Sequence, residues 1–185
     1  ETDQGWTVGA PGDGATQGMW EGVDPFGKAN GGVIYQPEDD HTPDPGALCY
    51  VTDGRGGNYL NYDVDGGATS LLSPIFDFST ASGAFKLDFW AFFMNDLVVD
   101  DTLRASVSND GGNTWFDIWK LEGTGYNAWS NYGGYFTGSQ VPYTNQMQFR
   151  FQIADYNGSL TEGAIDDVVI RRTTCDPPGS GACCA

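Results

Sequence analysis

The sequence predicts an all-β protein, a jelly-roll β-sandwich of two antiparallel sheets. Three observations predict it. The chain of 185 residues carries 27 Gly and 9 Pro, and its acidity comes mostly from Asp, which favours turns and caps over helix interiors. Strand-like runs recur between clusters of Gly, Pro, Asn and Asp. No window places apolar residues at helical spacing without a Gly or Pro interrupting it.

Ten such runs follow one another: 6–9, 32–36, 48–52, 69–78, 84–94, 103–108, 115–121, 132–136, 146–155 and 164–171. About ten strands without a helix imply a sandwich of jelly-roll type. In 84–94, Phe85, Leu87, Phe89, Ala91 and Phe93 share one face, while Trp90 and Phe92 lie on the other. That strand is therefore covered on both sides or presents an aromatic patch. Ser108-Asn109-Asp110-Gly111-Gly112-Asn113-Thr114-Trp115 fits the Asp-box pattern of propellers, but it occurs once, and a propeller needs it in successive blades. Its physical content is a hairpin in which Asp110 bonds its own turn, Gly112 supplies a positive φ and Trp115 packs underneath. The clearest alternation is in 146–153. Met147, Phe149, Phe151 and Ile153 point one way and polar side chains the other, as in a sheet with one face on the core and one in water. Asn157-Gly158-Ser159 matches a glycosylation acceptor and, more simply, a hairpin turn. In 164–171, Ala164, Asp166, Val168 and Ile170 share a face, which sets a carboxylate in an apolar row.

A buried carboxylate needs a partner. The chain offers 8 Lys and Arg against 25 Asp and Glu, so a hard cation, Ca2+, is the expected partner for Asp166. The alternative is that Asp166 sits wet at the strand edge or caps backbone N–H groups. Two loops extend the theme. Glu38-Asp39-Asp40-His41 crowds carboxylates that repel one another unless a cation bridges them. Asp63-Val64-Asp65-Gly66-Gly67 resembles the start of a Ca2+ loop without the distal Glu of an EF-hand. Either could equally be a solvated acidic loop.

Residues 1–172 read as one domain, and 173–185 as a Pro/Gly/Cys-rich tail or linker. The formal net charge of −17 argues against nucleic acid and anionic membrane surfaces as partners. No apolar run is long enough to insert in a membrane as a helix. The start at Glu1 is what a mature or excised fragment would show, and the expected location is secreted or extracellular. Cys175, Cys183 and Cys184 lie in the tail and are disulfide candidates of undetermined connectivity. Cys49 sits in an apolar run as a small hydrophobe or a further partner.

Several local patterns, in order along the domain, resemble the MAM family of extracellular domains and the related cleaved-adhesin domains. They are Gly5-Trp6, Trp20, Asp40-His41-Thr42, Leu72-Ser73-Pro74, Leu87-Asp88-Phe89-Trp90 and Gly163-Ala164-Ile165-Asp166-Asp167-Val168. The chain also resembles accessory domains of secreted bacterial metallopeptidases, through Glu1-Thr2-Asp3, residues 36–43 and Asp63-Val64-Asp65-Gly66-Gly67. The resemblance implies a jelly roll, a structural cation and a non-catalytic role. It implies Glu1 and Asp166 as Ca2+ ligands, helped by Asp40, Asp63, Asp65 and backbone carbonyls. The chain departs from animal MAM domains in lacking their paired cysteines within the domain.

Catalytic signals are absent from the sequence. His41 is its single histidine, no Ser lies in a nucleophile elbow, and zinc would need several His or Cys, of which only the tail cysteines cluster. No pattern singles out a glycosidase pair among the acids. The aromatic residues Tyr126, Trp129, Tyr132 and Tyr135, interleaved with Asn and Gly, are candidates for stacking on sugars or anchoring a protein. They could equally cover the sheet ends. The expected function is a Ca2+-stabilised accessory or adhesion domain with an extracellular protein or glycan partner. The alternatives are a carbohydrate-binding module and a self-assembling subunit, a homo-oligomer cross-linked through the tail.

Overall fold

The structure is a computed structural model and describes residues 4–96, 101–124 and 126–173. Twelve strands occur among these residues: β1 (Thr7–Val8), β2 (Trp20–Val23), β3 (Lys28–Asn30), β4 (Val33–Gln36), β5 (Cys49–Thr52), β6 (Gly67–Leu72), β7 (Ala84–Asn95), β8 (Thr102–Ser108), β9 (Phe116–Glu122), β10 (Ser130–Thr137), β11 (Gln148–Asp155) and β12 (Thr161–Thr173). They form a jelly-roll β-sandwich. One antiparallel sheet runs β1-β6-β11-β8-β9 and the other β10-β7-β12-β5-β2, with β3-β4 a separate hairpin.

The alternation in 146–153 dictates the core. Met147, Phe149, Phe151 and Ile153 are wholly buried. They meet Leu87, Phe89, Ala91 and Phe93 of the facing sheet in one cluster. Phe89 and Phe151 meet edge to face at 4.8 Å. Each such ring contributes about 1.5–3 kcal/mol by leaving water. Two short strands at sheet edges, β2 and β3, carry too few apolar residues for the period to show. The expected strand 69–78 ends instead at Leu72. Pro74 has no N–H for the ladder, and Phe76 makes only an isolated bridge to Met147.

β7 is covered on both sides at Phe92. A second cluster of Cys49, Val51, Phe92, Met94 and Ala164 lies on the outer face of the second sheet, where Val33 and Tyr35 of the β3-β4 hairpin close over it. A buried ion pair fastens that hairpin. Lys28 Nζ lies 2.8 Å from Glu162 Oε1, and the Thr52 hydroxyl donates to Glu162 Oε2 at 2.9 Å. Burial holds the Glu162 carboxyl above its ordinary range, and Lys28 and Thr52 offset only part of that.

The expected apolar row in β12 does not exist. The β12–β7 register slips between Asp166 and Val169, a β-bulge, and Asp167 takes φ +50 there. Two residues then oppose one on β7, which inverts the alternation. Ala164 and Asp166 keep the outer face, whereas Val168 and Ile170 turn inward against the main core. Of the expected apolar row, Asp166 therefore keeps only Ala164 beside it on its face.

Candidate functional site

The bulge presents two adjacent carboxylates to the loop after β4. Asp166 Oδ2 accepts the backbone N–H of His41 at 3.0 Å and that of Thr42 at 3.2 Å. It also accepts the Thr42 hydroxyl at 3.3 Å. Asp167 takes His41 Nδ1 at 2.8 Å and the Thr42 hydroxyl at 3.0 Å. With its polar edge held, the His41 ring stacks on Trp90, centroids 3.6 Å apart and planes 16° from parallel. Trp129 stands edge-on to His41 at 6.1 Å and to Phe92 at 6.4 Å. Its indole N–H donates to the Asp39 carbonyl at 3.2 Å.

These contacts build one wall of a groove on the outer face of the second sheet. The cavity is about 790 Å³ and lies between Ala29 and Ile34 of the hairpin, the 37–41 loop, Phe92 and the Asn127–Trp129 segment. Glu38, Asp39 and Asp40 supply its acidic rim. A size of 300–1,000 Å³ with an aromatic lining and a few polar groups suits a small or oligomeric ligand.

A second constellation lies elsewhere. One carboxylate oxygen each from Asp63, Asp65 and Asp155 falls within 4.8 Å of the others. Asp63 and Asp65 precede β6, and Asp155 ends β11 beside it. Asp63 is pushed up to about 6, chiefly by burial and further by Asp65 and Asp155. Burial also raises Asp155, with Asp101 and Asp65 adding to it. Asp155 Oδ1 accepts the N–H groups of Asn157 and Gly158, both at 2.8 Å, and Gly158 takes φ +70. Asn157-Gly158 is thus a capped bend, and not the expected hairpin turn, because β11 and β12 lie in opposite sheets.

The expected ion ligands thus separate. Asp63 and Asp65 come together, joined by Asp155, which the sequence reading took only as the end of a strand. Asp40 lines the groove, and Asp166 caps loop N–H groups, the alternative considered for it. Glu1 lies outside the described residues, as do Cys175, Cys183 and Cys184. Cys49 is buried in the outer cluster. The four aromatic candidates separate as well. Trp129 borders the groove, and Tyr126 is exposed. Tyr132 turns inward against Trp119 at 4.7 Å and Phe89 at 6.3 Å, so it is a core ring. Tyr135 lies under Lys86, whose Nζ is 5.5 Å from the ring. The inward turn of Tyr132 follows from its pairing opposite Phe89, whose side chain belongs to the core. The Asp-box segment behaves as a hairpin: Asp110 accepts the Thr114 N–H at 2.8 Å and the Ser108 hydroxyl at 2.7 Å. Gly112 takes φ +88, and Trp115 supports the Arg150 guanidinium at 4.5 Å.

No protein-family model matches the chain, and no curated protein matches it. Solved structures do. The K1 cleaved adhesin domain of Lys-gingipain from Porphyromonas gingivalis W83 is 15% identical, covers 91% of this chain and 90% of its own, and has a TM-score of 0.54. TmCBM61, solved in complex with β-1,4-galactotriose, is 15% identical over 91% of this chain and 89% of its own, with a TM-score of 0.50. The C-terminal family 22 carbohydrate-binding module of Clostridium thermocellum Xyn10B is 12% identical over 94% and 89%, with a TM-score of 0.51. At these identities the likeness shows the fold: the chain has the β-sandwich that these adhesin and carbohydrate-binding domains share.

Proposed function

We propose that the protein is a non-catalytic, calcium-stabilised binding module of a secreted protein, acting as an accessory or adhesion domain that holds an extracellular partner. The groove beside Trp129 carries this reading. It is walled by side chains fixed from both ends, His41 by Asp167 and Trp90, and Trp129 by the Asp39 carbonyl. Such pre-fixed walls lose little entropy on binding. His41 spends its Nδ1 on Asp167, and the neighbouring Thr42 hydroxyl donates to carboxylates instead of to the imidazole. These bonds hold the loop, and the Thr42 hydroxyl is spent on carboxylates. In this reading the catalytic work falls to a metallopeptidase domain of the same secreted polypeptide.

A glycan partner is favoured by one further observation. The groove combines the Trp129 ring with the Asn127 residue and the rim carboxylates of Glu38 and Asp39, the mixture that stacks on and hydrogen-bonds sugar rings. The test is a glycan array run beside a panel of extracellular-matrix proteins, with wild type and Trp129→Ala. Binding to one class that drops at least about tenfold in a folded Trp129→Ala supports the groove, since truncating an interface Trp of this kind removes 2 kcal/mol or so. Binding unaffected by the substitution, or none to either panel, contradicts it.

A further inference from the structure

The geometry points to a divalent-cation site of the calcium class at the end of the sandwich, held by Asp63, Asp65 and Asp155. This gives the ion of the calcium-stabilised reading a place, and a place other than the Asp166 bulge.

The oxygens are spaced for one ion. Ligand oxygens about 2.3–2.6 Å from Ca2+ lie at most about 5 Å apart across it, and these three carboxylates supply oxygens within 4.8 Å of one another. The independent observation is Asp155. It is wholly buried, its Oδ1 is spent on the Asn157-Gly158 turn, and its Oδ2 is buried without a hydrogen-bond partner. A buried carboxylate oxygen with no donor costs free energy that a cation removes. Among the described residues, Lys28 is committed to Glu162 and Arg55 to Asp53. Among the described residues, the Gln17 amide is the side-chain donor to the triad, on Asp65 Oδ2. Asp101, also wholly buried, adds negative charge beside Asp155 while accepting the Ser159 hydroxyl at 2.5 Å.

The donor set selects the metal. It holds carboxylate oxygens and neither His nor Cys, which suits Ca2+ or Mg2+ over Zn2+. Carboxylates crowded on a protein frame favour Ca2+, since Mg2+ sheds its water reluctantly. The frame is stiff. Val64, between the two aspartates, is wholly buried, and its N–H donates to the Thr161 carbonyl at 2.9 Å. An ion here joins the lead-in to β6, the end of β11 and, through the Val64–Thr161 bond, the start of β12, which belongs to the opposite sheet.

The test is calorimetric titration of chelator-treated protein with CaCl2, with MgCl2 as comparison, and thermal unfolding across the same Ca2+ range. The expected result is one Ca2+ per chain in wild type and an unfolding midpoint that climbs with Ca2+ concentration. Asp65→Asn, which leaves the Asp155 turn intact, weakens Ca2+ binding by at least about tenfold, as does Asp155→Asn. Asp155→Asn also raises the midpoint of the ion-free protein, because the uncompensated charge is gone. Asp166→Asn binds Ca2+ as wild type does. Wild-type affinity in Asp65→Asn, or loss of binding confined to Asp166→Asn, overturns the site while leaving a calcium-stabilised module standing. Absence of Ca2+ binding at millimolar concentration overturns the site and the calcium together, and leaves the groove to be judged by its own ligand test.

Discussion

Asp166 Oδ2 receives the backbone N–H of His41 at 3.0 Å, across 125 residues of chain. This bond fixes the loop that forms the groove wall, because the same carboxylate also takes the N–H of Thr42. Asp166→Ala leaves both N–H groups to water and costs about 1–3 kcal/mol. Hydrogen exchange is expected to show lost protection at His41 and Thr42, with β11 protection retained. Unchanged exchange at both amides would mean that the loop is held by other contacts.

Lys28 and Glu162 form a pair at the open end of the hairpin, where Lys28 lies opposite Gln36, with side chains 0% and 1% exposed. Removing one partner strands a buried charge. Lys28→Met alone is expected to cost about 3–5 kcal/mol, while Lys28→Met with Glu162→Leu comes back to near neutral. Urea denaturation of the two variants and wild type checks this. A double variant no more stable than the single one would refute the desolvation argument.

Gly18 is expected to tolerate no side chain. Its φ is +69, and an added Cβ would lie 2.5 Å from the backbone of Asp63 and Val64. Gly18→Ala should cost about 1–3 kcal/mol for the left-handed backbone and more for the clash. Because the atoms displaced belong to the segment carrying Asp63, it should also weaken Ca2+ binding. Thermal unfolding with and without Ca2+ reads both effects.

Asp110 is held down to about 2 by the Thr114 hydroxyl and N–H and the Ser108 hydroxyl, from an ordinary 3.8. A folded value below the unfolded one means that the stabilisation is present above about pH 4. It is lost as pH falls through about 2. A carboxyl carbon titration by NMR should place the Asp110 midpoint near 2, with the hairpin amides shifting in step. A midpoint near 3.8 would show that the Ser108–Trp115 turn does not depend on its carboxylate.

Much of this architecture is legible in the chain because period 2 is a strong signal where one face is dry. The run 146–153 gives the core face residue by residue, and 84–94 shows apolar side chains on both of its faces. The reading of 164–171 fails at one place for a physical reason. A bulge between Asp166 and Val169 adds a residue, and no local pattern announces it, since Asp167 at φ +50 is not a Gly. Site residues are partly legible. Asp63-Val64-Asp65 shows itself as a carboxylate pair before a Gly turn. Asp155 reads as a polar strand end, because its partners are 90 and more residues away in sequence. Its one local mark is the Asn157-Gly158 turn that its Oδ1 caps. The aromatic set fails differently: Tyr132 and Tyr135 look alike in sequence, and only the pairing of β10 with β7 sends Tyr132 to the core and Tyr135 outward.

On this proposal the acids of this chain divide into a set that grips an ion and a set that grips a loop. A crystal structure grown in CaCl2, with anomalous diffraction to place calcium, tests that division most directly. The expected map shows calcium among Asp63, Asp65 and Asp155, with Asp166 still bonded to His41 and Thr42. Calcium on Asp166 with none near Asp155 would contradict it.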